Sequence, residues 1–229
     1  MQTKNKIKAK TLVGIGVMVT LIGSIVYVLI RILASSGAES EVIRSDYVLM
    51  LFQCLLGVIV MLLPGVLEKK FSIDVPDYME VLYFIFLYCA IYLGEVHSFY
   101  YLIPNWDTIL HAFSGAMLGA LGYSLVSILN NAENVKVNLN PLFIALFAFC
   151  FAVSVGALWE IYEYLGDGIL GLNMQKFRDA SGAILVGRDA LKDTMDDIIV
   201  DACSAFLVVA GGYAVSKIRE KRKNGGDKN

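Results

Sequence analysis

Charge is what this sequence has little of. Only 17% of its 229 residues are Asp, Glu, Lys or Arg, against about a quarter in a typical soluble domain. With 57% hydrophobic residues and a mean hydropathy of +0.65, the shortage excludes a water-soluble globule, and nothing supports a nucleic-acid-binding surface. Long polar connections are scarce as well. The longest runs only from about Gly166 to Asp193, which leaves no room for a separate soluble domain. The four cysteines, Cys54, Cys89, Cys150 and Cys203, fall in four different apolar segments without CxxC or metal-ligand spacing. They read as small buried core residues and carry no information on redox compartment. A net charge of −2 excludes nothing by itself.

What the chain does have is apolar segments long enough to cross a bilayer, which takes roughly 20 residues. Six qualify, at about 11–33, 47–67, 78–97, 107–129, 141–165 and 196–216. The expectation is an all-α polytopic membrane protein, a six-transmembrane-helix bundle forming one integral membrane domain over residues 1–229. The first segment follows Lys4, Lys6, Lys8 and Lys10, but it is far longer than the roughly 7–15 residues of a signal-peptide core. It is therefore expected to stay as a signal anchor. Cations are distributed unevenly between the loops. Thirteen fall on the side of Lys4 to Lys10, Lys69, Lys70, Lys136 and the basic tail KIREKRKNGGDKN; six, namely Arg31, Arg44, Lys176, Arg178, Arg188 and Lys192, fall on the other. The positive-inside rule then places both termini in the cytoplasm, and the tail serves topology.

Segments one and two carry almost no ionisable residue and read as scaffold, with Gly14, Gly16, Gly23 and Gly57 as packing notches. Segment three ends outward in Glu95, His97, Tyr100, Tyr101 and Trp106, an interfacial belt. Segment four opens WDTILHAFSGAMLGALG. Asp107 and His111 are one helical turn apart and share a face, which continues through Gly115 and Gly119. Small residues on that face let another helix approach closely. Segment five is apolar until Glu160, Glu163 and Asp167, and segment six is entered through Asp193, Asp197 and Asp201, with Ala205 next on that face. Two of these helices run inward and one outward, yet all three carry their acids only at outer ends. Charges inside spans cost at least roughly 2.5–3.5 kcal/mol at the centre, so they normally face the bundle and mark function.

The order WDxxxHxxxG (Trp106, Asp107, His111, Gly115), ExxE (Glu160, Glu163) and DxxxDxxxD (Asp193, Asp197, Asp201) resembles the YjdF-like family of bacterial membrane proteins over roughly residues 75–216. A looser resemblance runs to VanZ-like membrane proteins, where Glu163 stands in place of the glutamine of that group. The resemblance implies a multi-pass protein of the bacterial plasma membrane and carries over no activity.

One histidine among several carboxylates suits a divalent cation: zinc or manganese with the imidazole included, magnesium or calcium with oxygen donors alone. On this reading Asp107, His111, Glu160 and Asp197 are the metal ligands and Glu163 or Asp201 the base or an outer-sphere partner. Arg178 and Arg188 in the outer loop would pair with phosphate oxygens. The activity expected is metal-dependent hydrolysis of a lipid-linked or cell-envelope substrate, with membrane lipids as the surroundings. Two alternatives stay open. Protonatable acids could couple ion or proton transport, although the charge-poor first half does not mirror the second as inverted repeats would. A non-catalytic polar network is the other, with Asp107 and Asp193 capping their helices.

Overall fold

Proline and glycine decide where these helices break and where they touch. The computed structural model describes residues 2–34, 41–71, 75–130, 139–179 and 182–226, and within them the side chains of 9–34, 46–70, 75–130, 139–179 and 182–222. Lys4, Lys6, Lys8, Arg44, Lys136, Lys223 and Lys228, all part of the charge count above, lie outside the described side chains. The elements are α1 (Gln2–Ala34), α2 (Glu41–Val60), α3 (Leu63–Phe71), α4 (Asp77–Leu87), a π-helix (Tyr88–Val96), α5 (Phe99–Leu102), α6 (Trp106–Asn130), α7 (Pro141–Leu170) and α8 (Lys192–Gly226). Among the described residues there is no strand, only one antiparallel bridge between Arg178 and Ile184. Six stretches are long and apolar enough to cross a membrane: Ala9–Ala34, Asp46–Lys70, Asp77–Val96, Trp106–Asn130, Pro141–Leu170 and Lys192–Arg222. These agree with the sequence segments to within a few residues, except that the sixth reaches further at both ends.

The chain divides into two compact units, Met1–Trp106 and Asp107–Asn229. In the first, Val17 and Leu21 of α1, Cys54 of α2, Met61, Phe84 and Leu87 of α4, and Ile91 of the π-helix form a buried core. The second span is interrupted between α2 and α3. Pro64 has no N–H to give to the carbonyl four residues back, at Val60, and its ring crowds that oxygen. The Tyr83 hydroxyl takes over, donating to the Val60 carbonyl at 2.8 Å, so a backbone acceptor that would be costly to leave bare is satisfied. Lys10, counted above as a loop cation, pairs with the buried Glu80 and lies 3.6 Å from Asp77.

In the second unit, Asn140 caps α7 by accepting from the Phe143 N–H at 2.8 Å, with Pro141 in the first turn where a missing N–H costs nothing. The helix stops at Gly171, whose φ of +70° is the left-handed stop that glycine tolerates. Glycine also sets how closely these helices meet. A Cβ placed on Gly115 would lie 2.6 Å from the Asp201 carbonyl oxygen, and one on Gly119 would lie 3.2 Å from that of Ala205, both on α8. One on Gly122 would lie 3.2 Å from Cα of Ala148 on α7. The small-residue face read from the sequence is thus the surface that α8 packs on.

Two expectations are corrected. Cys150 and Cys203 are exposed rather than buried, facing out with the apolar residues that a bilayer covers; Cys54 is buried and Cys89 half-buried. A side chain at Gly16 or Gly23 would meet nothing within 4 Å, so these are not notches, whereas Gly14 and Gly57 do pack against neighbours. The C-terminal half of segment three is a π-helix, a widened turn that periodicity does not reveal.

Gly115→Val is expected to lower the stability of the second unit by about 1–3 kcal/mol, the usual cost of overpacking. The unfolding midpoint of the detergent-purified protein measures this, and an unchanged midpoint would mean that α6 and α8 are not in contact.

Candidate metal centre

His111 is the hub. It lies on α6 one turn after Asp107, is 7% exposed, and meets three carboxylates with its two ring nitrogens. Nδ1 is 3.3 Å from Asp201 Oδ2. Nε2 is 3.7 Å from Asp107 Oδ1 and 3.8 Å from Asp197 Oδ2. Asp197 and Asp201 lie one turn apart on α8 and are 4% and 3% exposed, so the DxxxD spacing does what a helix requires of it.

The two nitrogens face different surroundings. On the Nδ1 side the partner is firmly seated: Asp201 also accepts from the Ser114 hydroxyl at 3.2 Å, and that hydroxyl reaches the His111 carbonyl at 3.0 Å. Its carboxylate occupies the space that a side chain at Gly156 would need, so the glycine of α7 makes room for it. On the Nε2 side the carboxylates stand too far off for hydrogen bonds. The donor atoms of Asp107, His111 and Asp197 all lie within 4.8 Å of one another. A tetrahedral ion with bonds near 2.1 Å holds its donors about 3.4 Å apart, so the two Nε2 separations exceed that by only a few tenths of an ångström. Metal-bound histidines commonly give their other ring N–H to a carboxylate, and Asp201 stands where that role requires.

Lys176 supplies the positive charge that the sequence reading did not assign to the site. Its ammonium bridges Asp107 Oδ2, at short range, and Asp193 Oδ1 at 2.9 Å. Burial works against the ammonium, but the carboxylates of Asp107 and Asp193 outweigh it and hold its pKa above the usual lysine range. The turn that delivers it is built for the purpose. Asp167, at the end of α7, accepts from the Met174 and Gln175 N–H groups at 2.7 and 3.0 Å. Asn173 clasps the backbone of Arg178 on both sides, at 2.9 and 3.0 Å, and Leu172 and Met174 are buried. Lys176 itself has a φ of +47°, a left-handed conformation that costs a non-glycine residue roughly 1–2 kcal/mol.

Glu160, on α7, is 4% exposed, and its carboxylate lies beside the Thr194 hydroxyl and the Gln175 amide without a hydrogen bond of ordinary geometry to either. The Gln175 amide also donates to the Glu160 carbonyl and to the Thr194 hydroxyl, at 3.4 and 2.9 Å. The carboxylate lies close enough to His111 and Asp193 to interact with their charges, so it faces the same cluster without joining the three-residue group.

The sequence-derived candidates sort as follows. Asp107, His111, Asp197 and Asp201 come together, with Glu160 facing them. Glu163 accepts the Trp159 indole N–H at 2.9 Å from one turn away. Arg178 lies over the Phe177 ring at 4.7 Å, and Arg188 is exposed; the basic group that reaches the carboxylates is Lys176. Asp107 and Asp193 both sit in the first turns of their helices, where their carboxylates take the lysine. Ser114 and Gly156 were also missed. The only sequence signal for Gly156 was its place one turn before Glu160, and Lys176 had none beyond its charge.

The family described as "Predicted membrane protein (DUF2238)" matches residues 15–218. The YjdF-like resemblance is to this same family, and the looser VanZ resemblance is not shown. An uncharacterised protein of Thermotoga maritima is 29% identical over 163 residues, covering 71% of this chain and 72% of its own. No solved structure matches.

Asp201→Asn is expected to lower the unfolding midpoint by the equivalent of about 1.5–3 kcal/mol, because an amide replaces the charged acceptor of the His111 ring and the Ser114 hydroxyl. Thermal unfolding in detergent reads this directly; a variant as stable as the parent would show that Asp201 does not hold the ring.

Proposed function

The chain belongs to the DUF2238 family of predicted membrane proteins, and from the geometry of its second unit we propose that it is a metal-dependent membrane hydrolase. Asp107, His111 and Asp197 hold the cation, zinc or manganese by their mixed nitrogen and oxygen donors. One observation carries the reading: His111 is fixed at Nδ1 by Asp201 while its Nε2 is turned, without a hydrogen bond, toward two carboxylates. In a purely structural network the imidazole would be expected to close on both. The buried Glu160 carboxylate adds support, because an acid beside only neutral groups in a low-dielectric interior is expensive unless a cation or a reacting water meets it.

The cation would supply a water acidic enough to be deprotonated near neutral pH, and Glu160, whose carboxylate faces His111, would take that proton. All of these groups lie in the last turns of α7 and the first turns of α6 and α8. That is the level of lipid head groups, and a lipid-linked phosphate or ester is the substrate class that meets it there. Following the cation count of the loops, the site opens to the outside of the bacterial plasma membrane, with both termini cytoplasmic.

The mildly purified protein is expected to carry one equivalent of zinc or manganese by elemental analysis. His111→Ala and Asp197→Asn are expected to lose it while remaining monodisperse, and Glu160→Gln to keep it. Absence of metal from the parent, together with no rise in melting temperature on adding either ion, would overturn the assignment.

A further inference from the structure

The loop between α7 and α8 carries a small hairpin that the metal reading does not use. Arg178 bridges Ile184 antiparallel, the Leu185 N–H donates to the Phe177 carbonyl at 2.8 Å, and the Asp179 N–H donates to the Ala183 carbonyl at 3.0 Å. Gly182 and Gly187, with φ of +84° and +65°, turn the chain at the two ends of the returning limb. In an extended limb successive side chains point to opposite faces. Leu185 is accordingly half-buried, whereas Ile184 and Val186 share the other face and are 69% and 82% exposed. From this geometry we propose that the hairpin docks on the bilayer surface, Ile184 and Val186 entering the boundary between head groups and acyl chains while Arg178 and Arg188 hold lipid phosphates. The docking does not depend on a bound metal.

Continuity with the membrane-spanning surface is the first support. Leu170 is the last residue of α7 and Leu191 precedes the first of α8, so the loop leaves directly from a span at each end. Ile169, Leu170 and Leu191 are themselves exposed apolar residues, so the surface that lipid covers runs onto the loop from both sides. Backbone pairing is the second. A segment entering a poorly hydrated layer needs partners for its own N–H and C=O groups. Besides the hairpin bonds, Asn173 takes up both the N–H and the carbonyl of Arg178, and the Asp179 carboxylate accepts the Ala183 N–H at 3.0 Å. A limb that satisfies its backbone while leaving an isoleucine and a valine bare is suited to a boundary between water and lipid. Charge is the third. Arg178 stacks on the Phe177 ring at 4.7 Å, and Arg188 is exposed two residues after Val186. Such a pairing of apolar body with cationic head is what interfacial segments use, and a guanidinium matches phosphate oxygens with its two-pronged fork. Lys176 is engaged by Asp107 and Asp193, and the Asp179 carboxylate by its own turn. That leaves Arg178 and Arg188 against Asp189, a balance that favours an anionic lipid surface.

The test uses the full chain with Cys89→Ala, Cys150→Ala and Cys203→Ala, carrying an environment-sensitive fluorophore on Val186→Cys and reconstituted in vesicles of phosphatidylglycerol and phosphatidylcholine. Glu220→Cys, at an exposed position on the basic end of α8, is the water-facing reference. Nitroxide-bearing lipid is expected to quench the label on Val186→Cys several-fold more than the reference, and aqueous iodide to quench it several-fold less. Adding Arg178→Gln and Arg188→Gln together is expected to remove the gain in lipid quenching that phosphatidylglycerol gives over phosphatidylcholine alone. Should the labelled Val186→Cys protein not stay monodisperse, Ile184→Cys reads the same face. Iodide quenching equal to that of the reference would overturn the inference. So would a label that neither quencher reaches, since protein would then cover the hairpin, and so would lipid quenching indifferent to both the arginines and phosphatidylglycerol.

Discussion

The dependence of a buried carboxylate on positive charge beside it organises the second unit. Asp193, Asp197 and Asp201 of α8, Asp107 of α6 and Glu160 of α7 draw near one another in surroundings that screen charge poorly, where each ionised acid alone would be costly. The described partners are one imidazole and one ammonium. His111 is shared among three aspartates and Lys176 between two, so both residues are placed by this shortage, and Glu160 has the neutral groups of Thr194 and Gln175 beside it.

Close packing is what lets so few cations serve so many acids. Gly115 brings the backbone of α8 against α6 at the level of Asp201, and Gly156 leaves α7 with a hollow that the Asp201 carboxylate fills. A methyl group at either glycine would push the acid from the imidazole. The same glycines that bring the helices together therefore set the His111 distances, and packing and electrostatics here are one device.

Much of this was legible in the sequence because it is periodic. Four-residue spacing put Asp107 with His111, and Asp197 with Asp201; the glycine row marked the contact face; and the apolar run beginning at 141 marked the start of α7. What was hidden depends on contacts between distant residues or on backbone angles. Lys176 sits in a loop without periodicity and reaches the site through a positive φ that no lysine advertises. The Tyr83 hydroxyl answers Pro64 through the Val60 carbonyl, a pairing no local pattern contains. Which flank of a uniformly apolar helix meets lipid is equally invisible, and so Cys150 and Cys203 were assigned to the wrong surface.

Those two thiols have a practical consequence. They project from the flanks of α7 and α8 rather than from the face that gathers the acids, so a fluorophore or spin label attached there could report depth in the bilayer while leaving the charged centre chemically intact. The native chain thus comes with its own pair of attachment points for a molecular depth gauge.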